Sequence, residues 1–108
     1  MTVNAVCESL KLKALNIAEG EREIDGVYAG DLLSWVMGRA KQSNAFVTIM
    51  SNINVLAVAS LIDLSCVILA ESVEPDPSFL EAAKEKEINV LSSSLTTYEL
   101  CAKLSLIL

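Results

Sequence analysis

The chain has 108 residues, 53% of them hydrophobic and 20% charged, which fits one folded domain with its own core and excludes intrinsic disorder. The formal net charge is −6 and histidine is absent. The eight Lys and Arg are scattered singly, so no basic stripe exists to neutralise a nucleic acid or an anionic lipid surface.

Thr2 is placed to cap a short helix reaching Leu10, with Val3, Val6, Cys7 and Leu10 on one face. Met1 to Ala14 lacks the basic start and apolar block of a signal peptide. Leu12 to Ile17 alternates apolar and polar residues and predicts a half-buried strand, followed by the polar turn Glu19-Gly20-Glu21-Arg22. Ile24 to Ala29 predicts a second strand, ending at Gly30. Asp31 stands where a helix cap belongs, before an apolar stripe of Leu32, Leu33, Val36 and Met37. After the polar loop Lys41 to Asn44, Phe46 to Met50 predicts a strand and Asn52 to Ile62 a nearly all-apolar helix.

Ile53 to Ala70 carries a single charge, Asp63, and approaches the length of a membrane span. It divides at Asp63-Leu64-Ser65, however, so a buried helix turning into a buried strand, Cys66 to Ala70, explains it better. A strand that is apolar at every position is covered on both faces, as in parallel sheets. Asp76-Pro77 pairs a cap with a first-turn proline and opens an amphipathic helix to about Glu87. Ile88 to Leu91 is the next strand, and Thr96 with Glu99 has the capping-box spacing that starts the final helix. Leu100, Leu104 and Ile107 or Leu108 form its buried stripe, with Leu106 pointing elsewhere. This order predicts an α/β fold in three layers: a small, mainly parallel sheet flanked by helices.

Cys7, Cys66 and Cys101 lie far apart in apolar contexts, with no CxxC or Cys/His spacing. That pattern excludes a zinc ligand set and predicts small buried thiols in a reducing, cytoplasmic setting.

In open parallel sheets, ligands sit beyond the carboxyl ends of the strands. That rule selects Tyr28 to Asp31, Thr48 to Asn54, Glu71 to Asp76 and Ser92 to Thr97. Within them the candidate ligand-binding residues are Tyr28, Gly30, Asp31, Thr48, Ser51, Asn52, Asn54, Glu71, Ser92 and Thr96. Their hydroxyl, amide and carboxylate groups suit a small polar ligand, and equally suit ordinary helix capping. Asp31, Glu71 and Glu74 are the acids expected near a pocket. No Ser-x-x-Lys, Gly-x-Ser-x-Gly, phosphate loop or dinucleotide fingerprint occurs, so no catalytic residue, metal or cofactor is expected.

Gly20-Glu21-Arg22-Glu23-Ile24, Cys66-Val67-Ile68-Leu69 before Glu74-Pro75-x-Pro77, and Ile88-Asn89-Val90-Leu91-Ser92 leading to Leu95-Thr96-Thr97 resemble the N-terminal domain of HPr kinase/phosphorylase and the related DRTGG domains. Gly26-Val27-Tyr28-x-Gly30-Asp31-Leu32-Leu33 is similar to small stand-alone DRTGG-like proteins. The resemblance covers nearly the whole chain and implies one DRTGG-like domain over residues 1–108, without the kinase's catalytic domain. Where the name-giving Asp-Arg-Thr-Gly-Gly stretch should stand, this chain has Ser51-Asn52-Ile53-Asn54-Val55, without the arginine and both glycines.

The family occurs beside phosphotransacetylase and regulatory domains, which implies a non-catalytic regulatory or assembly module, homodimeric, sensing a small polar metabolite or nucleotide. The alternative it implies is an accessory subunit docking on an anaerobic redox enzyme of the iron-hydrogenase type, with no small ligand. For a homodimer, the surplus apolar surface of the final helix or of the Trp35 helix is the expected interface.

Overall fold

Ten elements follow one another in the computed structural model, which describes all 108 residues: α1 (Val3–Ser9), β1 (Lys13–Asn16), β2 (Gly26–Ala29), α2 (Leu33–Arg39), β3 (Asn44–Thr48), α3 (Ile53–Leu61), β4 (Cys66–Leu69), α4 (Pro77–Glu85), β5 (Val90–Ser92) and α5 (Thr97–Ile107). The sheet order is β1-β5-β4-β3-β2. β2 to β5 are parallel, and β1 closes the far edge antiparallel to β5. Each crossover from β2 to β5 steps one strand in the same direction, so right-handedness puts α2, α3 and α4 on one face. α1 and α5 cover the other.

Two apolar clusters of equal size result. Strand alternation sends Ala45, Val47, Cys66, Ile68 and Leu91 toward α1 and α5, and Phe46, Val67, Leu69 and Val90 toward the other three helices. Every residue of β4 is buried, as a central parallel strand covered on both faces must be. Leu100 and Leu104 of α5 are fully buried and Leu106 is exposed, as the spacing predicts. No helix is long and apolar enough to cross a membrane.

Several boundaries differ from the sequence expectation. β3 starts at Asn44, because Asn44 pairs with Gly26, and it ends at Thr48, leaving Ile49 exposed. Ile24 is not part of β2; its N–H bonds to the carbonyl of Met1, beside a bridge between Thr2 and Glu23. β1 is irregular between Ala14 and Asn16 and shows no clean alternation. On α2, Val36 is buried and Leu33 half-buried; Leu32 is exposed because it stands outside the helix as its N-cap, and Met37 is exposed as well. Asp76 occupies the cap position before Pro77, but its side chain makes no capping bond; its backbone carbonyl accepts from Phe79 and Leu80 instead. Cys7 and Cys101 are half-buried, and only Cys66 is fully enclosed.

Three helices stop in the same way without glycine. Lys11, Asp63 and Glu87 follow the last residues of α1, α3 and α4 with φ of 54°, 57° and 56°. The next amide, of Leu12, Leu64 or Ile88, returns to the carbonyl of Cys7, Ala59 or Ala83, and the side chains of Leu12, Leu64 and Ile88 are buried. These are Schellman closures, in which a left-handed L-residue carries a strain of about 1–2 kcal/mol that glycine avoids. Glu87→Gly should therefore stabilise the fold by up to about 1 kcal/mol after glycine's extra backbone entropy. The expected readout is a higher urea midpoint at unchanged m-value. An unchanged or lower midpoint would show that the Glu87 conformation is not strained.

The link from β1 to β2 crosses the amino ends of all the parallel strands and is fastened there by buried polar groups. Asn89 Oδ1 accepts from the amides of Ala18 and Glu19 at 2.8 and 2.9 Å. Its Nδ2 donates to the carbonyls of Glu19 and Ser65 at 2.9 and 3.0 Å. Ser65 Oγ donates to the carbonyl of Glu23, and Arg22 reaches both the carboxylate and the carbonyl of Asp63 at 2.7 Å. Hydrogen bonds from Arg22 and Gln42 hold the Asp63 carboxyl below the usual range. This clasp ties down the amino edge, opposite the carboxyl edge where the strand-end loops lie.

Candidate functional site

The selected segments all lie at the carboxyl edge, but they gather as two groups. Around the ends of β2 and β3, Asp31 is exposed and does not cap α2: the position before the helix is held by Leu32, with no side-chain cap. Instead Asp31 Oδ1 accepts from the buried Thr48 hydroxyl at 2.9 Å and from the Ile49 amide at 3.2 Å. Thr48 Oγ1 in turn accepts from Met50 N–H at 3.1 Å. Asp31 is thus a strap between two loops, because its backbone already continues β2 through Gly30 N–H to the Val47 carbonyl. A side chain on Gly30 would press on the Tyr28 ring, at 3.3 Å.

Asn52, in the stretch that replaces Asp-Arg-Thr-Gly-Gly, caps α3 by accepting the Asn54 amide at 2.9 Å. Ser51 beside it is half-buried. Leu32, Trp35, Ile49 and Ile53 are exposed on the segments around this group, and Arg39 lies over the Trp35 ring at 3.9 Å. Asp31→Ala should cost about 1–3 kcal/mol by leaving the buried Thr48 hydroxyl without its acceptor. Asp31→Ser separates the two roles. Serine could replace aspartate if residue 31 were a cap but is too short for the strap, so no recovery of the chemical-denaturation midpoint is expected; full recovery would mean that residue 31 acts as a cap after all.

At the ends of β4 and β5 lies the second group. Glu71 Oε2 accepts from the Thr97 amide at 3.1 Å, tying the β4–α4 loop to the start of α5. Thr96 caps that helix in a complete capping box with Glu99, and its N–H and hydroxyl hold the Glu99 carboxyl below the usual range. Glu71 and Ser72 are successive left-handed residues, φ 63° and 58°, and no helix end explains them.

Their turn borders a cleft of about 660 Å³ between the β4 and β5 loops, the end of α1, the start of β1 and α5. Lys11, Lys13 and Lys103 line it together with Ser72, Ser92, Ser93, Ser94 and Glu74, over an apolar side that includes Leu15 and Leu80. Of the sequence candidates, Ser92 lines this cleft; Tyr28, Gly30, Asp31, Thr48, Ser51, Asn52 and Asn54 do not, and Glu71 and Thr96 stand beside it. Sequence reasoning missed the lysines. Ser92-Ser93-Ser94 after an apolar strand was a readable signal, whereas three lysines on three separate elements were not.

A family model described as HPr Serine kinase N terminus matches residues 40–108, from the approach to β3 through the last helix. The chain belongs to that family. Among curated proteins none matches the sequence. In fold it is similar to the CBS and DRTGG domains of the regulatory region of Clostridium perfringens pyrophosphatase, a structure complexed with an activator, diadenosine tetraphosphate. The TM-score is 0.73 at 15% identity, covering 94% of this chain and 44% of that one. The likeness establishes the DRTGG-like, three-layer α/β fold that the sequence predicts.

Proposed function

We propose that this domain is a non-catalytic regulatory module that senses a small polar metabolite or nucleotide and works as a homodimer. The carrying observation is the cleft at the carboxyl edge, lined by hydroxyls and amines around an apolar side and lying where α/β sheets take ligands. Family membership supports the regulatory part, and the pyrophosphatase neighbour is itself a regulatory region solved with a nucleotide activator. A thermal-shift screen of nucleotides, phosphorylated metabolites and polar metabolites tests the reading, because a ligand of the native state raises Tm by mass action. A reproducible upward shift supports it. A flat response across the set overturns it, as does turnover of ATP or acetyl phosphate that a point mutation abolishes.

Assembly rests on a separate observation. β2 is a sheet edge with no strand beyond it, and beside it Leu32 and Trp35 are more than half exposed. An open edge flanked by apolar side chains is the kind of surface proteins cover. Sedimentation equilibrium at micromolar concentration should give twice 11.6 kDa, and Trp35→Ser should return the monomer mass. A monomer mass for the unmodified chain across that range would reject the dimer and leave ligand sensing standing.

A further inference from the structure

The cleft carries more than a polar lining. Three of the chain's eight cations converge on it from different elements: Lys11 at the turn closing α1, Lys13 opening β1, and Lys103 on α5. The chain has 14 acids, yet only Glu74 shares the lining, and none of the three lysines makes a salt bridge. The two ion pairs that exist lie elsewhere, Met1 with Glu23 and Arg22 with Asp63. Glu99 stands one turn from Lys103, but its carboxylate is engaged by the Thr96 amide. The acidic chain thus has a local excess of positive charge at one concave place.

The hydroxyls complement those cations. Ser93 Oγ already accepts the Leu95 amide at 3.0 Å, so its O–H is free to donate outward. Ser72 is presented by the left-handed Glu71-Ser72 turn, a conformation that L-residues hold only against a cost and that concentrates at ligand sites. Ammonium and hydroxyl donors around one cavity match an oxygen-rich anion such as a phosphoryl group. The volume of about 660 Å³ and the apolar side of Leu10, Leu15, Val73 and Leu80 leave room for an organic body beyond it.

We infer that the cleft binds a phosphate-bearing small metabolite, its phosphoryl oxygens held by Lys11, Lys13, Lys103 and the Ser92–Ser94 hydroxyls. This rests on the ligand-sensing reading and names the ligand class for it.

The test is calorimetric titration of the full chain with ADP, ATP, inorganic pyrophosphate and uncharged adenosine. ADP, ATP or pyrophosphate should bind at least about tenfold more tightly than adenosine, and Lys13→Gln with Lys103→Gln should weaken that binding by at least about tenfold. Because both lysines are exposed, the double variant should keep the unliganded Tm. Raising ionic strength from about 0.01 to 0.1 M should weaken binding as well, since it shortens the range of the lysine field. Binding of phosphates that ignores the double substitution overturns the assignment. Adenosine binding as tightly as ADP overturns the phosphate class while leaving ligand sensing intact. If none of these four probes binds, the inference falls. The ligand-sensing reading falls with it only if the broader metabolite screen is also silent.

Discussion

Asn89→Asp should cost about 2–6 kcal/mol, about 1–3 for each of the two carbonyls that lose their donor. Asn89 is 3% exposed and makes four hydrogen bonds, two accepted and two donated. Aspartate keeps the two accepted bonds but turns the donor into an oxygen facing the carbonyls of Glu19 and Ser65. Two carbonyl oxygens then face a carboxylate at a position only 3% exposed, so both electrostatics and desolvation oppose the native state. Asn89→Ala removes the side chain and leaves the Ala18 and Glu19 amides and both carbonyls to find other partners, each orphaned group costing about 1–3 kcal/mol. Against a total stability of about 5–15 kcal/mol for a domain of this kind, either variant is marginal. Urea unfolding of the two variants beside the unmodified chain measures this. A midpoint for Asn89→Asp within experimental error of the parent would mean that the β1–β2 link is held by something other than this residue.

The same residue marks the limit of what could be read in advance. The capping box at Thr96, the cap at Asn52, Pro77 in the first turn of α4 and the all-apolar strand β4 are local signals, complete within a few residues, and all were legible. Asn89 looks, in sequence, like one polar position in a short strand. Three of its four bonds reach Ala18 and Glu19, 71 and 70 residues away in the chain, in a turn whose path across the sheet depends on the whole topology. The helix ends were blurred for a related reason: Lys11, Asp63 and Glu87 occupy the left-handed position where glycine would have announced the stop.

The carboxyl edge was half legible. Strand ends select segments, so the position of the edge followed from the element order. Which side chains face which space did not. Asp31 was legible as a polar group after a strand, and cap and strap differ only in whether its carboxylate turns toward its own helix or the neighbouring loop. The cleft is assembled partly from α1, β1 and α5, which join β5 at the far edge because β1 pairs antiparallel with it. No rule about strand carboxyl ends points to the amino-terminal thirteen residues, so Lys11 and Lys13 could not be placed before the sheet order was known.

Stability should fall steeply above about pH 9, and the fall should depend on Cys66. Its thiol is fully enclosed in the cluster beneath α1 and α5, and burial pushes its pKa up to about 12, against the opposing charge of Arg22. In the unfolded chain a cysteine ionises near its ordinary value of about 8.5. The sign follows from which state keeps the proton. Below that value both states hold it, and the native preference for the neutral thiol is fully present. Between about pH 9 and the native value near 12, the unfolded chain loses the proton and the folded chain does not, so unfolding is favoured increasingly as pH rises. The limiting loss is on the order of 5 kcal/mol, at about 1.4 kcal/mol for each pH unit between the unfolded and folded values. Lysine and tyrosine titrations act in the same range, so the comparison with Cys66→Ala isolates the thiol. The variant should be less stable at pH 7 from the vacated volume, and its disadvantage should shrink and then reverse as pH climbs toward 11. A stability difference that stays constant from pH 7 to 11 would show that the Cys66 thiol ionises alike in both states, and that the cluster beneath α1 and α5 admits water.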